Sequence, residues 1–155
     1  MRIVLRFDDQ MLDSSVKRTS PLIFTISWEH EGTYYPMKNW SDFGVVILDW
    51  WIAATIRLLQ GSRTEKFEFM DGPYSINAIY HRQSRMVELL PDTSQASWIT
   101  SSKWNVSSNE LVEELLRAAN TVRTKLMQGE YGEKEQALLE TDIVNLRTTW
   151  LRGRS

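Results

Sequence analysis

Residues 39–81 read NWSDFGVVILDWWIAATIRLLQGSRTEKFEFMDGPYSINAIYH, and the change of period within this stretch decides the fold. Phe43, Ile47, Trp50, Trp51, Ala54 and Leu58 recur at three- to four-residue spacing. Val45, Leu48, Ile52, Ile56 and Leu59 fill much of the remaining circumference. A helix apolar over so wide an arc is mostly buried. The spacing therefore predicts a central helix over residues 41–60, its Trp50-Trp51 pair lying against a sheet. Asn39 or Ser41 is the expected cap, Asp42 complements the positive N-terminal end, and Gly61 stops the helix. Beyond it the period falls to two. KFEFM and YSINAIYH alternate on either side of Asp71-Gly72, which marks a hairpin.

Outward from this stretch the same two periods recur. Upstream, residues 2–7 alternate Ile3, Leu5 and Phe7 against Arg2, Val4 and Arg6, a half-buried strand. A polar segment over 8–20 and Pro21 lead into a second strand, in which Leu22, Phe24, Ile26 and Trp28 share a face. Its turn is expected at Glu31-Gly32, with Tyr34 and Tyr35 beyond. Downstream, HRQSR is a polar turn and MVELL a short strand ended by Pro91-Asp92. Residues 98–106 alternate Trp98, Thr100, Ser102, Trp104 and Val106 against Ile99, Ser101, Lys103 and Asn105, a last strand. Ser107 and Glu110 match a capping box that opens a helix over 108–128. Gly129 and Gly132 separate it from a helix over 133–151 carrying Leu139, Ile143, Leu146 and Trp150. Arg147 and Arg152 near its end complement the dipole. The expected fold is a single α+β domain over 1–155. Its antiparallel sheet of five to six strands packs against the central helix and a C-terminal helical hairpin.

Composition narrows the chemistry. With 155 residues the chain is long enough to bury a core without staples. It has 0 Cys, which excludes disulfides, thiol nucleophiles, iron–sulfur clusters and Cys-ligated zinc. The net charge of −2 argues against general nucleic-acid binding, which needs clustered cations. The acidic surplus sits in residues 107–146, and the last nine residues carry Arg147, Arg152 and Arg154. The apolar run over 45–56 is interrupted by Asp49 and too short to span a bilayer. The start MRIVLRFDDQ has no apolar run followed by a small-residue cleavage site, so a cytoplasmic protein is expected.

Motifs for phosphate loops, dinucleotide binding, zinc peptidases, hydrolase elbows and calcium loops are absent. His30 and His81 are the two imidazoles. His30 stands between Glu29 and Glu31, but neighbouring strand residues point to opposite faces and do not converge. His81 ends a strand beside Arg82 and Arg85 and reads as surface. Asp8-Asp9 lacks further oxygen ligands at helpful spacing and reads as a solvated loop. No cofactor, no metal site and no catalytic residue is expected. Of the seven Trp, Trp28, Trp50, Trp51 and Trp150 are assigned to the core. Trp40, Trp98 and Trp104, with Tyr34 and Tyr35, are left for an exposed aromatic surface of the kind interfaces favour.

The run NWSDFGVVILDWWIAATIRLL, the FEFMDGPYSINAIY hairpin and the closing helices resemble, in pattern, small bacterial α+β immunity proteins encoded beside polymorphic or contact-dependent toxins. That resemblance implies a non-enzymatic protein which binds one protein toxin and masks its active site. The contacts expected from the residues are the Asp71–Tyr74 turn, Glu29 and Glu31, Trp98 and Trp104, and Glu130 and Glu133 in an acidic stretch that suits a basic partner. A second reading is a small-molecule-binding or enzymatic domain with an aromatic pocket of Trp98, Trp104 and Tyr80, using His81 or His30 as acid–base. A third is a homo-oligomer that buries the exposed aromatics. Monomer and homodimer both remain open, and no membrane partner is expected.

Overall fold

The computed structural model describes residues 1–8, 22–99, 103–130 and 132–154. The chain forms two four-stranded antiparallel sheets and three helices. Strands β1 (Arg2–Arg6), β2 (Phe24–His30), β3 (Thr33–Tyr35) and β4 (Ser41–Asp42) make the first sheet. Helix α1 (Gly44–Gln60) follows. Strands β5 (Thr64–Glu68), β6 (Ser75–His81), β7 (Met86–Pro91) and β8 (Trp104–Ser107) make the second sheet in that order. Helices α2 (Ser108–Gln128) and α3 (Glu133–Arg154) close the chain. The α+β class, the central helix and the closing pair of helices stand as the sequence predicts. The single sheet does not: the strands divide into two sheets. Pairing rows that alternation cannot reveal separate the strands before α1 from those after it.

The registers show how each sheet builds its buried face. In the first, Trp28 lies opposite Ile3 on one side and Tyr35 on the other, and all three are fully buried. In the second, Ala78, Leu89 and Trp104 form one row and Phe67 and Ile76 another. Helix α1 joins them: the Trp51 ring meets Trp28 edge-on at 5.2 Å and Phe69 at 5.2 Å, while Trp28 stacks on Phe67. The Trp51 Nε1–H donates to the Glu68 carbonyl at 2.8 Å, so the indole's polar edge is satisfied inside this aromatic core. Trp50, expected beside it in the core, instead points outward at 39% exposure. Adjacent residues on a helix diverge by about 100°, and the arc facing the sheets takes only Trp51.

Helix α1 begins at Gly44, later than expected. Neither Asn39 nor Ser41 caps it, because Ser41 and Asp42 pair with β2 as a strand. The Gly44 backbone lies directly on the Phe24 ring, so a Cβ built there falls 2.0–2.6 Å from three ring carbons. Helix α2 starts as expected, with Ser107 Oγ accepting the Glu110 N–H at 3.0 Å. It also covers the outer edge of β1. Glu114 accepts the Ile3 N–H at 2.6 Å, and Arg117 donates to the Ile3 carbonyl at 2.6 Å. An edge strand with its polar groups so occupied is a poor template for another chain. The last strand is shorter than expected: only 104–107 pairs, Trp98 lies outside it, and residues 100–102 fall outside the description. Residues 9–21, which include Asp9 and most of the polar segment before β2, do so as well.

Helix α3 packs on both α1 and α2. It is antiparallel to α2, since Trp150 near its end donates its Nε1–H to Asn109 at the start of α2 (3.1 Å). It runs alongside α1 in the same direction, with Asp142 against Asp49 and Gly153 near Leu59. Asp142 is buried beside Asp49, and its Oδ2 has no hydrogen-bond partner among the described residues. Burial first, then the Asp49 charge and hydrogen bond, raises the Asp142 pKa to about 7.

Two outcomes follow from this packing. Gly44→Ala should lower the unfolding free energy by about 1–3 kcal/mol in urea titrations, because the ring of Phe24 must yield to the new methyl. Asp142 holds more protons folded than unfolded between its ordinary pKa and about 7, so its contribution to stability falls as pH rises through that window. Asp142→Asn should therefore resemble the parent near pH 4 and exceed it by about 1–3 kcal/mol at pH 8, measured by denaturant unfolding across pH.

Candidate functional site

The residues that precede α1 and those that follow β5 are drawn together by one carboxylate. Asp42, 1% exposed, accepts four donors. Its Oδ1 takes the Phe43 N–H at 2.7 Å, and its Oδ2 takes the Trp40 Nε1–H at 3.0 Å and the Met70 N–H at 3.1 Å. The Asp71 N–H is shared between both oxygens at 3.2 Å. A buried carboxylate needs such donors to offset its lost hydration. Here their origins lock the start of α1, the Trp40 indole and the β5–β6 turn into one arrangement.

An aromatic face is the result. Trp40 meets Tyr74 edge-on at 5.0 Å, Tyr74 meets Tyr35 at 6.1 Å, and Trp98 meets Tyr74 at 6.4 Å. The Trp98 Nε1–H donates to the Pro36 carbonyl at 2.9 Å, which fixes the ring while leaving it 50% exposed. Gly72 lies so close to this cluster that a Cβ would sit 3.0 Å from the Tyr74 ring and 3.1 Å from Trp40. Met37 and Met70 stand exposed on the two loops that carry the face, and Asp71 is exposed at the turn. Tyr35 lies beneath. Its hydroxyl donates to the Asp92 carbonyl at 2.9 Å and accepts the Ser75 N–H at 3.0 Å, and burial raises its pKa to about 12.

The expected contact residues divide. Asp71, Tyr74 and Trp98 come together, joined by Trp40. Trp104 does not: it is 1% exposed, its β8 position facing inward beside Leu89, and it offers no surface to a partner. Glu29 lies opposite Tyr34, one row along the ladder from Tyr35 and so on the other face of the sheet, and Glu31 stands in the β2–β3 turn beyond it. Glu29 there accepts the Gly32 N–H at 2.7 Å and holds the turn, while Glu31 is exposed. Glu130 and Glu133 are exposed on the α2–α3 connection, at the same end of the α1–α3 pair as the aromatic face.

The three rings proposed for a small-molecule pocket are dispersed. Trp98 belongs to the aromatic face, Trp104 to the core, and Tyr80 to a cleft at the far end of α1, which it shares with Trp150. His30 stacks on Trp104 at 5.5 Å; its Nδ1 is buried without a partner among the described residues, and Glu31 is 3.8 Å from its Nε2. It is thus packed inward, not solvated at a strand end. His81 is exposed and 3.1 Å from Glu88, which Lys103 also approaches at 3.1 Å. Among the described residues no group of His, Asp and Glu is placed to hold a metal ion, and no helix is long and apolar enough to cross a membrane.

No family model, curated protein or solved structure matches this chain.

Sequence reading missed Asp42 as an organiser, having assigned it to the helix dipole. Its signal was only its place between Trp40 and Phe43, which does not show that Met70 and Asp71 fold back onto it. Asp42→Asn replaces one acceptor oxygen with a donor that faces other donors. The variant should lose about 2–4 kcal/mol of stability, and its near-ultraviolet circular dichroism should show loosened Trp40 and Tyr74 even where the far-ultraviolet spectrum is unchanged.

Proposed function

We propose that the protein is a non-enzymatic binding protein of the immunity type, which docks its aromatic face on a cognate protein toxin and masks it. The observation that carries this reading is the Trp98–Tyr74–Trp40 cluster. Its rings are exposed in part, yet Trp98 is tied to Pro36 and Trp40 to Asp42. Large aromatic groups held rigid before binding lose little conformational freedom on association, and Trp and Tyr dominate binding energy at protein interfaces. Exposed Met37 and Met70 add adaptable apolar area.

The charge around the face favours a basic partner. Asp71 stands on it, and the Glu130 and Glu133 connection lies at the same end of the helices. Acidic groups at the rim speed the capture of a basic partner and make association salt-sensitive. The Glu29–Glu31 turn extends the acidic rim along the first sheet if the partner covers more than the central cluster. The chain would act in the cytoplasm as a monomer that forms a 1:1 complex.

The test is co-purification of the tagged chain from its native host, followed by light scattering and calorimetry on the recovered complex. A 1:1 complex with a basic protein, weakened by salt, is the expected outcome. Trp98→Ala should weaken it by at least about 30-fold while shifting stability by less than about 1 kcal/mol, since the ring is half exposed. Recovery of no partner, or a complex indifferent to Trp98, would count against the reading. A homodimer that Trp98→Ala dissolves would assign the face to self-association.

A further inference from the structure

At the other end of α1, the β6–β7 turn, the start of α2 and the end of α3 meet around a cleft of about 360 Å³. Tyr80 and Trp150 supply ring walls, and Arg82, Arg85 and Arg154 supply charge. The walls are held by bonds that do not use the guanidinium groups. The Arg85 carbonyl accepts the Ser108 N–H at 2.8 Å, which fixes the turn to α2, and Trp150 donates to Asn109, which fixes α3 to α2.

The electrostatics of this cleft are unbalanced. Arg82, Arg85 and Arg154, which share this cleft, have no ion-pair partner among the described residues to offset one another's charge. The Arg154 guanidinium lies instead over the Trp150 ring, 5.0 Å from its centre. Ser108 and Asn109, the first residues of a 21-residue helix, add the positive end of its dipole. Three like charges and a helix N-terminus converging on one cavity repel one another, and a bound anion relieves that repulsion.

We propose that this cleft binds a phosphate-bearing small molecule with a flat ring. The phosphate is held by Arg82, Arg85 and Arg154 at the start of α2, and the ring lies against Tyr80 and Trp150. Three guanidinium groups approaching from two elements suit the several oxygens of a phosphate monoester, whereas one fork already satisfies a carboxylate. The volume is at the lower end of the range for small-molecule sites. Helix α1 spans 17 residues, about 25 Å, so this site is separate from the aromatic face and does not depend on its function.

The test titrates the full chain with adenosine monophosphate, inorganic phosphate and adenosine by calorimetry at low and moderate salt. The monophosphate should bind at least about tenfold more tightly than phosphate alone, and adenosine should give no heat. Arg82→Ala and Arg154→Ala, both at exposed side chains, should each weaken binding about tenfold or more without changing the melting temperature, while Arg2→Ala on β1 leaves it unchanged. Three results would overturn the proposal: no binding of monophosphate or phosphate at millimolar concentration, binding that survives both substitutions, or equal binding of phosphate and monophosphate. A single-stranded oligonucleotide that binds far more tightly than the monophosphate would overturn the assignment to a small molecule.

Discussion

The Asp42 carboxylate is the constraint on which the rest of the structure depends. It sits where the first sheet ends, α1 begins and the second sheet makes its first turn. Its four donors come from all three places. A carboxylate taken out of water is tolerated only where donors surround it, and each donor here also has a fixed place in its own element. The position of the β5–β6 turn relative to β4 is therefore set by hydrogen bonding, and the packing of Trp40 on Tyr74 follows from it. Tyr35 makes a second tie between the sheets through Ser75 and Asp92, on the inner side of the same cluster. With two polar ties at one end and the Trp28–Trp51–Phe67 core behind them, the two sheets behave as one body around α1.

This division between periodic and non-periodic information explains what the sequence disclosed. Ile3, Phe24, Ile26 and Trp28 in the first sheet, Ile76 and Ala78 in the second, and Leu139, Ile143 and Leu146 on α3 are buried as their spacing predicts. Periodicity reports which face of an element is apolar. It does not report which element that face meets, so one sheet was as consistent with the alternation as two. It also fails where adjacent large residues compete for one arc, as with Trp50 and Trp51. Trp104 was misplaced for a related reason. The Ser and Thr residues that share its alternating face in sequence made the strand look solvated, whereas Trp104 pairs with buried Leu89 and faces inward. Asp142 shows the reverse error, a charged residue within an acidic stretch that is buried between helices.

The candidate site was legible in part, through the turn chemistry of Asp71-Gly72 and the aromatic count. The turn and Trp98 are 27 residues apart, from Asp71 to Trp98, and nothing local in either predicts their contact. What joins them is Tyr74, which is held by Gly72 on one side and touches both Trp40 and Trp98. Four of the seven Trp divide by where their N–H groups find partners. Trp51 has its partner inside the core, and Trp150 has one between helices. Trp40 and Trp98 have partners that pin a partly exposed ring in place. Rings meant only for the core do not need an anchored polar edge at the surface, and this distinguishes the aromatic face from incidental exposure such as that of Trp50.

The charge gradient along α3 takes on a spatial meaning in the same way. Glu133 and Glu135 in its first turn and Arg152 and Arg154 in its last both complement the helix dipole, which alone accounts for the sequence pattern. The dipole does not account for what Arg154 does. Its guanidinium lies over the Trp150 ring, and it lines the same cleft as Arg82 and Arg85 of the β6–β7 turn. A cation that served only the carbonyls at the helix end would not need to share a cleft with two others. Two opposite ends thus follow from one helix pair. At the start of α1 and α3, apolar rings and carboxylates face outward on a rigid base. At their far end, arginines gather on a cleft whose walls are already fixed without them. The first arrangement suits a large partner that covers area, and the second suits a small one that supplies charge.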